Sequence, residues 1–228
     1  MSDDLDLRRL GEIPDPFAAA PGAPPAMKAP TVARSPTRGQ ARRNRAIAAM
    51  AVVLYEIGWL VVVERRGDLA SLPAWTIAVG LIIPLAAAAL ALGAVTGRGQ
   101  RGLGVGASWL AALALLPPLV FAVATLLTSP PDAEAGRFWE LAVRCMGVTA
   151  LLTAGPLVLG ALVFRHAFAA ASGWRTAALG VTCGALAAAT MSLACVHTGA
   201  VHVVVGHGAM IVVAGVIGAL LGRRITRA

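Results

Sequence analysis

TAALGVTCGALAAATMSLACVHTGAVHVVVGHGAMIVVAGVIGALLGRR, running from Thr176 to Arg224, decides how this chain is built. Two long apolar runs flank a short segment that carries Cys195, His197, His202 and His207, and the second run closes on Gly222-Arg223-Arg224. At a helical rise of about 1.5 Å per residue, about 20 apolar residues cross a hydrocarbon core of about 30 Å. The stretch therefore reads as two membrane-crossing helices joined at one surface. Cysteine and histidine bind metals, exchange protons and change redox state. Nowhere else does the sequence offer comparable chemistry.

The rest of the chain extends this pattern. Of 228 residues, 58% are hydrophobic and 13% charged, with a mean hydropathy of +0.78, far outside the range of soluble globular proteins. The expected fold is all-α: a polytopic membrane protein whose six-helix transmembrane bundle follows a mostly disordered N-terminal tail. The spans read as about 46–63, 74–95, 103–127, 141–164, 176–198 and 203–221. Residues 1–45 then form an acidic segment plus a Pro/Ala-rich linker, and residues 46–228 the transmembrane domain. No cleavable signal peptide is expected, because those first residues are polar and proline-rich rather than basic and then apolar.

The formal net charge of +8 is a topology signal. Eleven arginines stand near span ends on one side: Arg38, Arg42, Arg43, Arg45, Arg98, Arg101, Arg165, Arg175, Arg223, Arg224 and Arg227. Three stand on the other, Arg65, Arg66 and Arg137. The excess of positive residues on cytoplasmic loops places both termini in the cytoplasm. Trp75, Trp139 and Trp174 fall at span boundaries, where amphipathic aromatics settle. Gly180, Gly184 and Ala188 on the fifth span, with Gly218 and Gly222 on the sixth, predict close packing of those two helices. Pro84, Pro117, Pro118 and Pro156 lie inside spans and predict kinks.

The tail has its own pattern. Asp3, Asp4 and Asp6 mix with Leu5, Leu7, Leu10 and Ile13; Ser2 suits a helix cap, and Gly11 with Pro14 ends the run. A helix this short is unstable alone. It could fold on a partner, burying the leucine face and opposing basic surfaces with its acids.

Topology puts Cys145, at the start of span four, and Cys195, at the end of span five, near the outer face at similar depth, where they could meet. Cys183, twelve residues earlier on span five, sits about 18 Å along the axis from Cys195 and reads as a buried packing residue. For the pair, the residues leave three readings open: independent packing residues, a reversible disulfide, or a shared metal. His197, His202 and His207 lie on the same side, and imidazole with thiolate suits zinc or copper, with haem a further candidate. Residues five apart on an α-helix point about 140° from each other, so these histidines share no single helical face. A metal site requires the loop to fold back.

Glu56 lies midway through the first span, an expensive place for an acid and so a candidate metal or proton site together with the three histidines. Arg144 or His207 is its expected partner. A proton relay would need further intramembrane acids or bases, and the other spans have almost none. No phosphate-binding glycine loop ending in Lys-Ser or Lys-Thr, no His-Glu-x-x-His and no nucleophile elbow occurs, so no enzyme activity is expected.

Several of these residues form a recognisable set. Arg144-Cys145, Pro156, the small-residue fifth span ending Leu193-Ala194-Cys195, and Gly218-Ala219-Leu220-Leu221-Gly222-Arg223-Arg224 together resemble the NrsF family, six-span anti-sigma factors of the bacterial inner membrane. The plan is also similar to that of light-responsive membrane anti-sigma regulators of myxobacteria. The resemblance implies a multi-pass protein that sequesters an extracytoplasmic-function sigma factor through its cytoplasmic tail and releases it on an envelope or oxidative signal. It implies that Cys145 and Cys195 are the family's paired, stress-sensing cysteines. One departure is that Val196-His197-Thr198 follows the second cysteine, where many members carry a proline and an acidic stretch. Membrane lipids and the sigma factor are the implied partners, with no nucleic acid or small-molecule substrate. The alternative from another class is a small transporter or metal-handling membrane protein using Glu56 and the Cys/His cluster.

Overall fold

A computed structural model describes residues 38–62, 66–96, 105–130, 138–164 and 172–225. The chain divides between Thr37 and Arg38. The expected tail contacts Asp3, Asp4, Leu5, Asp6, Leu7, Leu10 and Ile13 lie outside the described residues, as do Arg65, Arg98, Arg101, Arg137, Arg165 and Arg227.

The described residues contain six helices and no strand: α1 (Arg38–Val62), α2 (Ala74–Thr96), α3 (Ala107–Thr128), α4 (Phe138–Phe164), α5 (Ser172–Ala194) and α6 (Ala200–Arg224). Five of them, α2 to α6, are long and apolar enough to cross a membrane. In α1 the apolar part is the shorter run Ala46–Val62, and the helix begins at Arg38, eight residues before the expected span. Arg, Gln and Ala are good helix formers, so the backbone continues through this polar stretch without an apolar surface to bury.

Helix α5 is the centre of the bundle. Its apolar window is 78% buried, against 22–28% for α2, α3 and α4. Small side chains explain this position: Ala177, Ala178, Ala185, Ala187, Ala188 and Ala189 are all buried, and they let neighbouring backbones come close. The most extensive helix pairing is α5 with α6. A Cβ on Gly184 would stand 2.6 Å from Ile211 Cα, and Cβ atoms on Gly180 and Gly218 would run into the backbone at Ala214 and Thr176. The expected glycine packing is therefore present in both directions. Helix α1 packs on α4, where Tyr55 donates a 2.7 Å hydrogen bond to the Leu151 carbonyl and its ring covers Gly155.

Large apolar side chains point away from the bundle, among them Leu54, Val61, Leu115, Leu119 and Leu127, the last 79% exposed. A surface of this kind is stable in hydrocarbon and not in water. With five spanning-length apolar helices, the molecule is a membrane protein. Trp75 and Trp139 are exposed near helix ends, and Trp75 donates a 3.1 Å hydrogen bond to the Thr128 carbonyl.

Two helices contain a π-helical turn, Ala78–Ile82 in α2 and Val204–Gly208 in α6. The first precedes Pro84, whose missing N–H removes the bond to the carbonyl four residues earlier, so the backbone departs from α geometry where a kink was expected. The second decides the geometry of the site.

Candidate functional site

Helix α5 ends at Ala194, four residues before the expected boundary, and the loop 195–199 turns back across the bundle. Val196, Thr198 and Gly199 are poor helix formers. The Ala200 N–H donates to the Pro130 carbonyl at 2.9 Å, and the Cys195 N–H to the Met191 carbonyl at 2.8 Å, which fixes both ends of the loop. This is the fold-back that a shared thiol–imidazole site required.

Cys145, two turns into α4, meets Cys195 with sulfur atoms 3.6 Å apart. His202 Nε2 lies 3.4 Å from Cys195 Sγ. One ligand atom each from Cys145, Cys195, His202 and His207 lies within 4.8 Å of all the others. Cys195, His202 and His207 are buried, the last two at 2% and 1% exposure, and Cys145 is half-buried.

The expectation that His202 and His207 point apart is overturned by the π turn between them. A π turn bonds residue i to i+5 rather than i+4, so positions five apart come close to one face. The imidazoles meet edge to face with ring centres 5.6 Å apart. Glycines allow the wide turn to sit tightly: a Cβ on Gly206 would stand 3.1 Å from Cys145 Cβ, and one on Gly208 would stand 2.9 Å from the Phe121 ring. Thr149, fully buried, donates to both the Cys145 carbonyl at 2.7 Å and the Gly206 carbonyl at 3.0 Å, joining α4 to the turn.

His197 stands beside the cluster rather than in it. Its ring is 5.2 Å from that of His202, and its carbonyl lies 3.8 Å from Cys195 Sγ. Glu56 has a neutral partner: Thr190 on α5 donates to its Oε2 at 2.6 Å. The expected ionic partners are not used, since Arg144 pairs with Glu140 one turn earlier on the outside of α4 at 2.7 Å. Cys183 is buried with Ala91, Leu110 and Leu179 as a packing residue.

Two residues that sequence reasoning did not assign to the site complete its surroundings. The Arg66 guanidinium, 3% exposed, donates to both Asp68 carboxylate oxygens at 2.7 and 2.8 Å. Those bonds hold the Asp68 carboxyl below the usual carboxylate range. A cavity of about 40 Å³ runs between Arg66, Thr125, Ser192, Cys195 and His207, room for water-sized molecules beside the sulfur. Cys195 lies in the loop between α5 and α6. A hydrogen bond from the Cys145 thiol, with help from His202, holds its thiol below the ordinary thiol range against the opposing effect of burial.

The fold and the site define a helical membrane protein with a buried, paired-thiol centre at the junction of three apolar helices. The chain belongs to the NrsF family, negative regulator of sigma F, whose model matches residues 29–227. It is therefore a negative regulator of a sigma factor. No curated protein and no solved structure matches the chain.

Proposed function

We propose that this protein holds an extracytoplasmic-function sigma factor inactive at the bacterial inner membrane, through its N-terminal segment, and releases it when Cys145 and Cys195 are oxidised. The observation that carries the reading is family membership across residues 29–227, in a chain whose two site cysteines face each other at 3.6 Å. The protein acts by binding and turns over no substrate. In the proposed topology α1 also crosses the bilayer, both termini are cytoplasmic, and the cysteines lie near the outer face.

The switching step is a two-electron oxidation by a peroxide. Two thiols and one hydrogen peroxide give one disulfide and two water molecules, the sulfur atoms being oxidised and the peroxide oxygens reduced. The new bond draws α4 toward the end of α5, and because Gly206 lies against Cys145, the start of α6 must move with it. Closing from 3.6 Å to the disulfide length of about 2.05 Å is a small displacement in a tightly packed site.

Capture of the sigma factor tests the partner. Full-length protein in detergent should co-purify with an extracytoplasmic-function sigma factor from the same genome, and Leu7→Asp with Leu10→Asp should abolish the complex without changing helix content. Undiminished co-purification by the double variant would reject the tail as the binding segment.

A further inference from the structure

We propose that Cys145, Cys195, His202 and His207 form a closed, four-coordinate site for a divalent zinc-class cation. The inference does not depend on the identity of the partner, because it rests on the geometry and charge of the four side chains.

Geometry comes first. With Zn–S bonds of about 2.3 Å and Zn–N bonds of about 2.0–2.1 Å, the edges of a tetrahedron run from about 3.3 Å between nitrogens to about 3.8 Å between sulfurs. The sulfur–sulfur distance of 3.6 Å and the sulfur–nitrogen distance of 3.4 Å fall on those edges. The four ligand atoms all lie within 4.8 Å of one another, so small side-chain rotations complete the figure.

An independent observation points to a ligand at the same place. His207 is 1% exposed, yet neither of its ring nitrogens has hydrogen-bond geometry to any partner. An imidazole buried without partners for both nitrogens loses the free energy of its hydration without replacement. Coordination through one nitrogen removes that cost. His207 reaches the cluster only through the π turn and its flanking glycines, so the backbone is shaped to bring this ring to the sulfurs.

Charge selects the cation. Two thiolates and a divalent ion sum to zero, and a neutral unit is the least costly way to hold charge in surroundings this apolar. A monovalent copper ion would leave one uncompensated negative charge, and the neighbouring Arg66 is already committed to Asp68 by two hydrogen bonds. Four protein ligands leave no open position, which is the arrangement of structural rather than catalytic zinc. A cavity lies directly beside Cys195 and His207.

The test uses the full-length protein in detergent under reducing conditions, stripped with a chelator and reloaded with Zn²⁺ or Co²⁺ alone. Wild type should bind one ion per chain, with Co²⁺ giving the intense red-region absorption of tetrahedral coordination and sulfur-to-metal charge transfer. Cys145→Ser, Cys195→Ser and His207→Gln should each weaken binding by about 10-fold or more, whereas His197→Ala and Cys183→Ser should not. Bound Zn²⁺ should also slow maleimide modification of Cys195 in the wild type, a readout that needs no variant to fold. Folded wild type that retains no stoichiometric ion, or binding lost in His197→Ala and kept in His207→Gln, would overturn the proposal. Sigma-factor capture measured in parallel separates the readings: capture without zinc rejects this site alone, and zinc without capture rejects the partner alone.

Discussion

At the scale of single residues, Gly206 sets how closely the start of α6 approaches Cys145. Its α-carbon faces Cys145 so closely that any side chain makes the neighbours give way: a Cβ would lie 3.1 Å from Cys145 Cβ and 3.4 Å from the Ala142 carbonyl oxygen. Gly206→Val should therefore push the turn off α4 and slow peroxide-driven formation of the Cys145–Cys195 disulfide by on the order of 10- to 100-fold. Mass spectrometry of alkylated peptides reads this directly, with Cys183 remaining free in both proteins; an unchanged rate in the variant would reject the role given to Gly206. That the two cysteines meet was legible from topology, since both were expected at one depth. That His207 comes to the same face as His202 was not. An α-helical period sends positions 202 and 207 apart, and only the paired glycines of Gly206-His207-Gly208 hint that the period changes there. Glu56 shows the complementary failure. Its partner Thr190 is 134 residues away and uncharged, so a search for opposite charge cannot find it.

Helices and loops carry the next set of consequences. The α5–α6 pair is the closest-packed joint, because Gly184 faces the Ile211 backbone itself rather than a flexible side-chain end. Gly184→Leu should destabilise the protein by about 1–3 kcal/mol or more, seen as a lower midpoint in denaturation from detergent micelles. An unchanged midpoint would mean that this close approach contributes nothing to stability. The small-residue spacing made the pairing readable in advance, and Ala188 and Gly218 fall where that spacing placed them. The loop after α1 was less legible. Arg66 was counted among the few positive residues of the outer side, yet its side chain is buried and its N–H meets the Leu193 carbonyl at 3.4 Å. Removing the charge and one of the two acceptor oxygens in Asp68→Asn should lower thermal stability, because the buried guanidinium then has no counter-charge. The pH dependence has a definite sign. The carboxyl of Asp68 is held below its ordinary pKa in the folded protein, so its contribution is complete above about pH 4 and disappears as pH falls further. Wild type should lose melting temperature through that acidic range, and Asp68→Asn should lose less; equal losses would remove the pair from the account.

The whole molecule turns on α1. Five helices have the length and hydropathy of membrane spans, and the sixth apolar run, Ala46–Val62, has 17 residues, or about 25 Å at the helical rise. That is at the short end of what crosses a bilayer. The helix itself is longer, starting at Arg38, and its outward face carries Leu54, Val61 and Val62. Hydropathy showed six apolar stretches but cannot decide whether the shortest one crosses, because flanking arginines suit a helix end in either arrangement. The functional difference is large. If α1 crosses, the tail and the α5–α6 loop lie on opposite sides of the membrane, and the proposed function then has the site reporting on one compartment and the tail binding in the other. Without that crossing both lie on one side.

Labelling decides between them. In a background with Cys145, Cys183 and Cys195 replaced by serine, Val196→Cys and Ser35→Cys are each treated with a membrane-impermeant maleimide in intact spheroplasts and after lysis. Val196 is 59% exposed, so its replacement is open to reagent. Val196→Cys should label in intact spheroplasts and Ser35→Cys only after lysis; labelling of both from the same side would contradict a membrane-crossing α1.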